Sequence, residues 1–203
     1  MPRGPTPLRD GLGQPAVSDD RIRLFVALEL PGEVRSALSG WARAHTAGLG
    51  RLRLVEPESL HVTLCFLGLR PAAEVAEIGD ACREAASGHP AATLTVGDAL
   101  WLPRRRPRVL SVALGDDEHG GLAATQAALS GALTEGGFYE PETRPFLAHV
   151  TVARVARDAR IRSPDLPAPE ATCFSAARVT LFESRLGRGP ARYEALATVT
   201  LSG

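Results

Sequence analysis

The feature that most constrains the fold of this sequence is a repeated order of predicted elements. Residues 21–30 (RIRLFVALEL) form an apolar run rich in Leu, Ile, Val and Phe, a composition that predicts a strand. A helix is predicted over residues 32–47, and Gly48 follows as its terminator. The next apolar run, residues 60–67 (LHVTLCFL), predicts a second strand. The first part of the chain therefore reads strand–helix–strand.

The same order begins again in the second part of the chain. A strand is predicted over residues 108–114, an alanine-rich helix over 120–136 and a strand over 146–153. The word Val-Ala-Leu begins at Val26 and again at Val112, and it precedes a His-Val-Thr word by 35 and 37 residues, respectively. Such self-similarity indicates a duplicated unit. We therefore expect two strand–helix–strand lobes, each ending in a His-Val-Thr strand.

The other segments complete one domain. A helix is predicted over residues 72–87, and further strands over 92–102, 172–185 and 191–201. Residues 1–20 are rich in Pro and Gly and lack the apolar core of a signal peptide, so we expect a disordered extension there. Residues 21–203 are then expected to form a single bilobal domain.

The two His-Val-Thr words place polar side chains on strands. Side chains alternate between the faces of a strand, so His61 and Thr63 are expected to share one face, as are His149 and Thr151. If the lobes are related by approximate two-fold symmetry, these four side chains line one cleft. Alternation sends the neighbouring apolar side chains to the opposite, helix-covered face: Val62, Leu64, Phe66, Val150 and Val152.

Paired histidines suit the cleavage of a phosphoester without a metal. A neutral imidazole takes a proton from the attacking water, while a protonated one gives a proton to the departing ribose oxygen. Both forms are accessible near neutral pH, because imidazole titrates near pH 6.5. Threonine hydroxyls beside them can donate hydrogen bonds to the non-bridging phosphate oxygens. The spacing of the two words does not show which histidine is the acid and which the base.

Composition excludes several other kinds of protein. All 23 basic residues are arginine, which excludes a ligase that forms a lysine–nucleotide adduct and a Walker-type phosphate loop. The three cysteines form no CxxC pair, and no HExxH or GxSxG word occurs, so we expect neither a metal nor a cofactor. No apolar run approaches the roughly 20 residues of a membrane span. We expect a cytoplasmic protein that does not associate with membranes.

These residues resemble the two-histidine phosphoesterase superfamily, and specifically the bacterial and archaeal RNA 2′,3′-cyclic phosphodiesterases, also called 2′-5′ RNA ligases. The resemblance covers about residues 21–201 and omits the N-terminal extension. Two positions depart from the common pattern, since Ala148 stands where relatives commonly carry Pro and Val152 where Leu is more usual. The segments that carry the resemblance are Arg23–Leu28, Leu60–Gly68, Arg144–Arg154 and the closing hairpin from Glu183 through Leu186, Gly187 and Gly189 to Tyr193.

The resemblance implies an α+β fold that is bilobal and duplicated, with two antiparallel sheets lining a central cleft and helices on the outside. It implies that His61 is the proton donor and His149 the proton acceptor. The family tends to have arginine at position 154, where a cation would favour phosphate binding. Strict alternation, however, puts Arg154 opposite His149, so Arg154 reaches substrate only past a bulge or from a strand end. Its alternative role is a structural salt bridge.

The favoured reaction is hydrolysis of RNA 2′,3′-cyclic phosphate to a 2′-phosphate end, performed by a monomer on RNA ends or nucleotides. Three alternatives stay open at this point. One is 2′-5′ RNA joining by the reverse reaction, in which a ribose hydroxyl replaces water. Another is a non-catalytic binder of RNA ends or nucleotides, and the third is an enzyme whose true substrate is a small cyclic nucleotide. Phe25 and Tyr193 are expected either to stack on a nucleobase or to pack in the core.

Overall fold

The computed structural model describes residues 20–185, 187 and 191–202. Residues 1–19, which make up nearly all of the expected N-terminal extension, lie outside the described residues, as do Leu186 and Gly189 of the closing hairpin. Within the described part of the chain, no helix combines the length and the apolar character needed to cross a membrane.

The predicted order of helices and strands is present in the structure. Two short 3₁₀ turns, Pro57–Ser59 and Ala72–Glu74, precede β3 and α2. The regular elements of the described chain are β1 (Arg21–Glu29), α1 (Gly32–Thr46), β2 (Leu52–Leu54), β3 (His61–Pro71), α2 (Val75–Ala86), β4 (Ala92–Leu102), β5 (Val109–Asp116), α3 (Gly121–Glu135), β6 (His149–Val155), β7 (Cys173–Ala176), β8 (Arg178–Arg185) and β9 (Arg192–Thr200).

Two elements differ from the sequence-based expectation. Strand β2 was not predicted, because three residues are too short to display a period of two. The single strand expected over residues 172–185 is divided at Ala177 into β7 and β8. The reason lies in the pairing, since β7 pairs with β4 of the second half and β8 pairs with β1 of the first half. The chain therefore passes from one half of the molecule to the other at Ala177.

The strands form one antiparallel sheet in the order β7-β4-β5-β6-β3-β1-β8-β9, and β2 pairs with β6. The two halves meet where β3 pairs with β6, at the single pair Val62–Val150. Further along the same edge of β6, β2 replaces β3 and pairs with Ala153–Val155. The bilobal α+β fold is confirmed, and the two predicted sheets are the two halves that join at this one pair.

Each lobe covers the motif strand of the other lobe. Helix α1, which follows β1, packs against β2 and β6, whereas α3, which follows β5, packs against β3. Helix α2 contacts α3 and so links the two halves on the helix-covered face. The apolar residues between sheet and helices are almost fully buried, and each contributes roughly 1.5–3 kcal/mol on transfer from water. They include Leu24, Val26, Leu38, Val62, Ile78, Leu129, Val150 and Val152.

The pairing refines the internal repeat. Ala27 pairs with Thr63 of β3, and Ser111 pairs with Thr151 of β6. Ala27 is thus equivalent to Ser111, and not to Ala113 as the two Val-Ala-Leu words predicted. A displacement of two residues keeps every side chain on its original face, so the words agree in pattern although they do not occupy equivalent positions.

Candidate active site

Strand β3 carries a β-bulge within its His-Val-Thr-Leu motif. Thr63 pairs with Ala27 and Cys65 pairs with Val26, so Leu64 is an extra residue without a partner in the register. The side chains of Leu64 and Cys65 are both buried, one after the other. A bulge changes the phase of alternation along a strand, so the residues after it change faces.

Strand β6 carries the same bulge at the equivalent position. Thr151 pairs with Ser111 and Ala153 pairs with Leu110, so Val152 is the extra residue. The first seven residues of β3 and the whole of β6 share one burial pattern: half-buried His, buried Val, half-buried Thr, two buried residues, one exposed residue and one buried residue. The exposed fifth residue after each histidine therefore returns to the cleft side.

The bulges decide the positions of Phe66 and Arg154. Phe66 was expected to face the core, and that prediction was wrong: its side chain is 43% exposed and lines the cleft together with His61. Arg154 is likewise exposed and lines the cleft, although strict alternation placed it opposite His149. Within the described part of the chain Arg154 forms no salt bridge. The structure thus places Arg154 on the cleft side and not in an ion pair with any described residue.

The two histidines are held in the same way. Nδ1 of His61 lies 2.8 Å from the carbonyl oxygen of Ser59, and Nδ1 of His149 lies 2.8 Å from the carbonyl oxygen of Leu147. A carbonyl oxygen only accepts, so Nδ1 carries a proton and donates it in both rings. Nε2 is consequently the atom left for proton transfer on each imidazole.

The structure brings the predicted residues together. His61, Thr63, His149 and Thr151 line one small hollow of about 40 Å³, and Arg154 lies beside them. The hollow opens into a larger cleft of about 1020 Å³, which shares His61, Thr63, Arg154 and Tyr193 with it. Two imidazoles, two hydroxyls and a guanidinium therefore converge on a space suited to one phosphoryl group.

His61 stands in an aromatic enclosure. Its ring centroid lies 4.9 Å from that of Phe25 and 5.2 Å from that of Tyr193, which meets it edge-on. The pKa of His61 is lowered to about 4, chiefly by burial and also by the nearby charges of Arg154 and His149, against the opposing effect of the hydrogen bond to Ser59. Near neutral pH, His61 is therefore uncharged when no anion is bound.

Phe25 and Tyr193 thus have a structural role beside His61. Phe25 is 4% exposed and packs against both His61 and Phe182, with the Phe182 centroid at 5.3 Å. Tyr193 is half-buried and lines both the hollow and the cleft. Both side chains line the cleft, but Phe25 is almost fully buried in the packing around the imidazole, whereas Tyr193 is half-buried.

Ser111 is a site residue that the sequence reasoning missed. It is fully buried on β5, and its hydroxyl oxygen lies 3.3 Å from that of Thr151. The equivalent position beside Thr63 is Ala27, which has no hydroxyl, so only Thr151 has a hydroxyl partner on the adjacent strand. The available signal was a hydroxyl residue inside the apolar strand of residues 108–114.

The walls of the cleft differ in character. Phe66 and Tyr193 lie on the wall formed by the first lobe, where the guanidinium carbon of Arg23 stands 4.7 Å from the ring centroid of Phe66. The opposite wall carries arginines, which we call the arginine wall: Arg53, Arg108, Arg154 and Arg157. Among the described residues, no group of three or more His, Cys, Asp or Glu side chains is placed to hold a metal ion.

Comparison with known proteins gives consistent matches. Residues 28–111 match the family model described as LigT like phosphoesterase. The chain is 32% identical over 182 residues to the RNA 2′,3′-cyclic phosphodiesterase of Escherichia coli (strain K12), covering 86% of this chain and 93% of that protein. The crystal structure of E. coli LigT complexed with 3′-AMP aligns with a TM-score of 0.76 and 27% identity, covering 91% of this chain and 100% of that chain. A crystal structure of a Thermus thermophilus protein aligns with a TM-score of 0.77 and 26% identity, covering 90% of this chain and 99% of that chain.

Proposed function

Because this chain belongs to the LigT-like phosphoesterase family, we propose that it hydrolyses RNA 2′,3′-cyclic phosphate ends to 2′-phosphates. In this proposal His61 is the proton donor and His149 the proton acceptor. The observation that carries it is the convergence of two imidazoles, each anchored through Nδ1, on one hollow with two threonine hydroxyls. This arrangement supplies an acid and a base on two sides of one phosphoryl group.

The reaction exchanges one phosphorus–oxygen bond for another. Nε2 of His149 accepts a proton from water as the water oxygen attacks phosphorus. The bond from phosphorus to the ribose 3′ oxygen breaks on the opposite side, and protonated His61 gives its Nε2 proton to that oxygen. The products are a 2′-phosphate monoester and a 3′ hydroxyl. Afterwards His149 carries the extra proton and His61 is neutral, and exchange with solvent restores the starting state.

Three further side chains act on the non-bridging oxygens of the phosphoryl group. Thr63 and Thr151 donate hydrogen bonds where negative charge grows in the transition state. Arg154, which lines the same hollow, supplies a charge-assisted donor. Ser111 keeps the Thr151 hydroxyl oriented through their contact.

The low pKa of His61 has a consequence for the order of events. A donor must be protonated, yet His61 is neutral in the free protein near pH 7 because burial and the charge of Arg154 lower its pKa. A phosphodiester anion bound between these groups offsets the positive charge and favours the imidazolium. Substrate binding therefore raises the pKa of His61, and the imidazole takes up from solvent the proton that the acid needs.

The wall opposite the arginines supports the assignment of donor and acceptor. The leaving 3′ oxygen belongs to the nucleoside, whose base is able to stack on an exposed aromatic ring. Phe66 and Tyr193 provide such rings on the same lobe as His61. A nucleoside held there places its ribose beside His61 and leaves the His149 side of phosphorus for water.

The product of a single turnover tests this assignment. A short RNA ending in 2′,3′-cyclic phosphate is digested, and the terminal phosphate is assigned by phosphorus NMR. We expect only the 2′-phosphate from the wild type, and turnover lower by about 10²–10⁴-fold in His149→Ala run in parallel. A 3′-phosphate or a mixture would overturn the donor and acceptor roles, and accumulation of 2′-5′ joined RNA would favour the reverse reaction. Monomeric state and cytoplasmic location stay predictions.

A further inference from the structure

The cleft concentrates positive charge although the whole chain has a formal net charge of zero. Among its described lining residues are five arginines and no Asp or Glu: Arg23, Arg53, Arg108, Arg154 and Arg157. Arg154 reaches the hollow that holds the histidines, whereas Arg53, Arg108 and Arg157 line only the larger cleft. One phosphoryl group at the histidines therefore leaves four arginines, of which Arg23 stacks on Phe66 and the other three belong to the arginine wall.

Backbone pairing places Arg53 and Arg108 beside β6, and a side-chain hydrogen bond links Arg108 to Arg157. Arg53 of β2 lies directly opposite Arg154 of β6. The carbonyl oxygen of Arg108 accepts the backbone N–H of Val155, the next residue along β6. The Arg108 side chain donates through Nη1 to the carbonyl oxygen of Arg157 at 3.2 Å. The arginine wall thus begins at the end of β6 that is farther from His149 and extends away from the histidines.

This clustering is unfavourable unless an anion is present. Like charges that face each other across paired strands destabilise a sheet, and Arg53 and Arg154 are such a pair. Within the described part of the chain, no carboxylate forms a salt bridge with any residue of the arginine wall, while the neighbouring Arg51 is paired with Asp158. Asp158 therefore pairs with an arginine that does not line the cleft, and the arginines of the wall form no such pair among the described residues.

The two walls together suit a single nucleic-acid strand. Proteins that bind single strands combine a basic groove for the backbone with aromatic side chains on which bases stack. Phe66, at 43% exposure, and Tyr193 line the wall that faces the arginines. The cleft of about 1020 Å³ lies at the upper limit of the roughly 300–1,000 Å³ typical of small-molecule sites, so it has room beyond one nucleotide.

We propose that Arg53, Arg108 and Arg157 hold the phosphodiesters on the 5′ side of the cyclic phosphate, which makes the protein selective for oligonucleotide ends over nucleoside 2′,3′-cyclic phosphates. This inference rests on the proposed function. A 2′,3′-cyclic phosphate occupies the 3′ terminus of its strand, so every other phosphate of the substrate lies on its 5′ side. With the cyclic phosphate at the histidines, the adjoining phosphates run along the arginine wall.

The test compares two substrates with the same reacting end, of which only one carries nucleotides, and hence phosphodiesters, on its 5′ side. Values of kcat/KM are measured for adenosine 2′,3′-cyclic phosphate and for a trinucleotide ending in adenosine 2′,3′-cyclic phosphate. We expect the wild type to favour the trinucleotide, and the ratio of the two values to fall about 3- to 10-fold in each of Arg53→Gln, Arg108→Gln and Arg157→Gln, as for partly solvated charge-assisted contacts. Arg43→Gln, on the outer surface of α1, is the matched control and keeps the wild-type ratio.

Salt dependence gives a second readout. The slope of log kcat/KM for the trinucleotide against log salt concentration should become shallower by about 0.7 for each phosphate contact removed. A wild-type ratio near one, or wall variants that leave the ratio and the slope unchanged, would overturn the inference.

Absence of hydrolysis for both substrates contradicts the proposed function instead. The arginine wall is then tested by fluorescence anisotropy with a labelled trinucleotide that ends in a 2′-phosphate. Weaker binding by the wall variants than by Arg43→Gln supports the inference, and equal binding overturns it.

Discussion

Replacement of His61 by glutamine should reduce the loss of unfolding free energy that the protein shows when the pH is lowered. The fold lowers the pKa of His61 from 6.5 to about 4, chiefly by burial. Each unit corresponds to about 1.4 kcal/mol, so protonation of His61 costs the folded protein about 3 kcal/mol more than it costs the unfolded chain. The unfolded chain binds the proton more readily between these two pH values. The folded state therefore has its full stability with respect to His61 above pH 6.5, where the imidazole is neutral in both states, and it loses that stability as the pH falls towards 4.

The assay is urea unfolding of the wild type and His61→Gln at pH 7.5 and pH 5. Linkage over this interval predicts that the wild type loses about 2 kcal/mol more than the variant in free energy of unfolding. All other titrating groups are common to both proteins and cancel in the difference. His119→Gln, in an exposed turn, is the control and should follow the wild type. Equal losses in the wild type and His61→Gln would refute the reasoning, because they would show that the fold does not resist protonation at His61.

The remaining predictions concern turnover. His149→Ala should lower kcat by about 10²–10⁴-fold, the usual contribution of one general base. Thr63→Val or Thr151→Val should lower kcat by about 10–10³-fold, as for the loss of one preorganised donor. Unchanged kcat in a variant that keeps its melting temperature would show that the residue does not take part in catalysis. Ser111→Ala should lower kcat in the wild type but have no further effect in Thr151→Val, because it acts through that hydroxyl; additive losses would contradict this coupling. Hydrolysis should continue in excess EDTA, and loss of activity that is restored by a divalent ion would reject the mechanism.

The sequence predicted the repeated elements and the four motif side chains because each depends on local pattern. Strand periodicity placed His61 and Thr63 on one face, and the structure agrees. It failed at Phe66 because Leu64 is an ordinary strand residue with nothing to mark it as the extra residue of a bulge. The bulge is defined by the register between β3 and β1. A local sequence pattern does not predict the register between strands that are distant in the sequence.

The same limit explains what was missed in the second lobe. The arginine wall combines Arg53 of β2, Arg108 beside β5 and Arg157 beyond β6, three segments that are far apart in the sequence. Strand β2 follows a helix of the first half but pairs with β6 of the second half. No local signal shows that exchange, so the charges of these arginines could not be assigned to one surface before the topology was known.

Duplication provides two chemically equivalent imidazoles, and divergence around them makes the roles different. Phe66 and Arg154 occupy equivalent positions, each the fifth residue after its histidine and each returned to the cleft by a bulge. One side of the cleft gained an aromatic surface and the other a cation. His61 lies on the aromatic side, where burial lowers its pKa and keeps it neutral near pH 7. In the proposed mechanism, an acid that is protonated when substrate binds and a base on the opposite lobe thus arise from two copies of one strand. The residues around the histidines differ between the copies, and the histidines themselves do not.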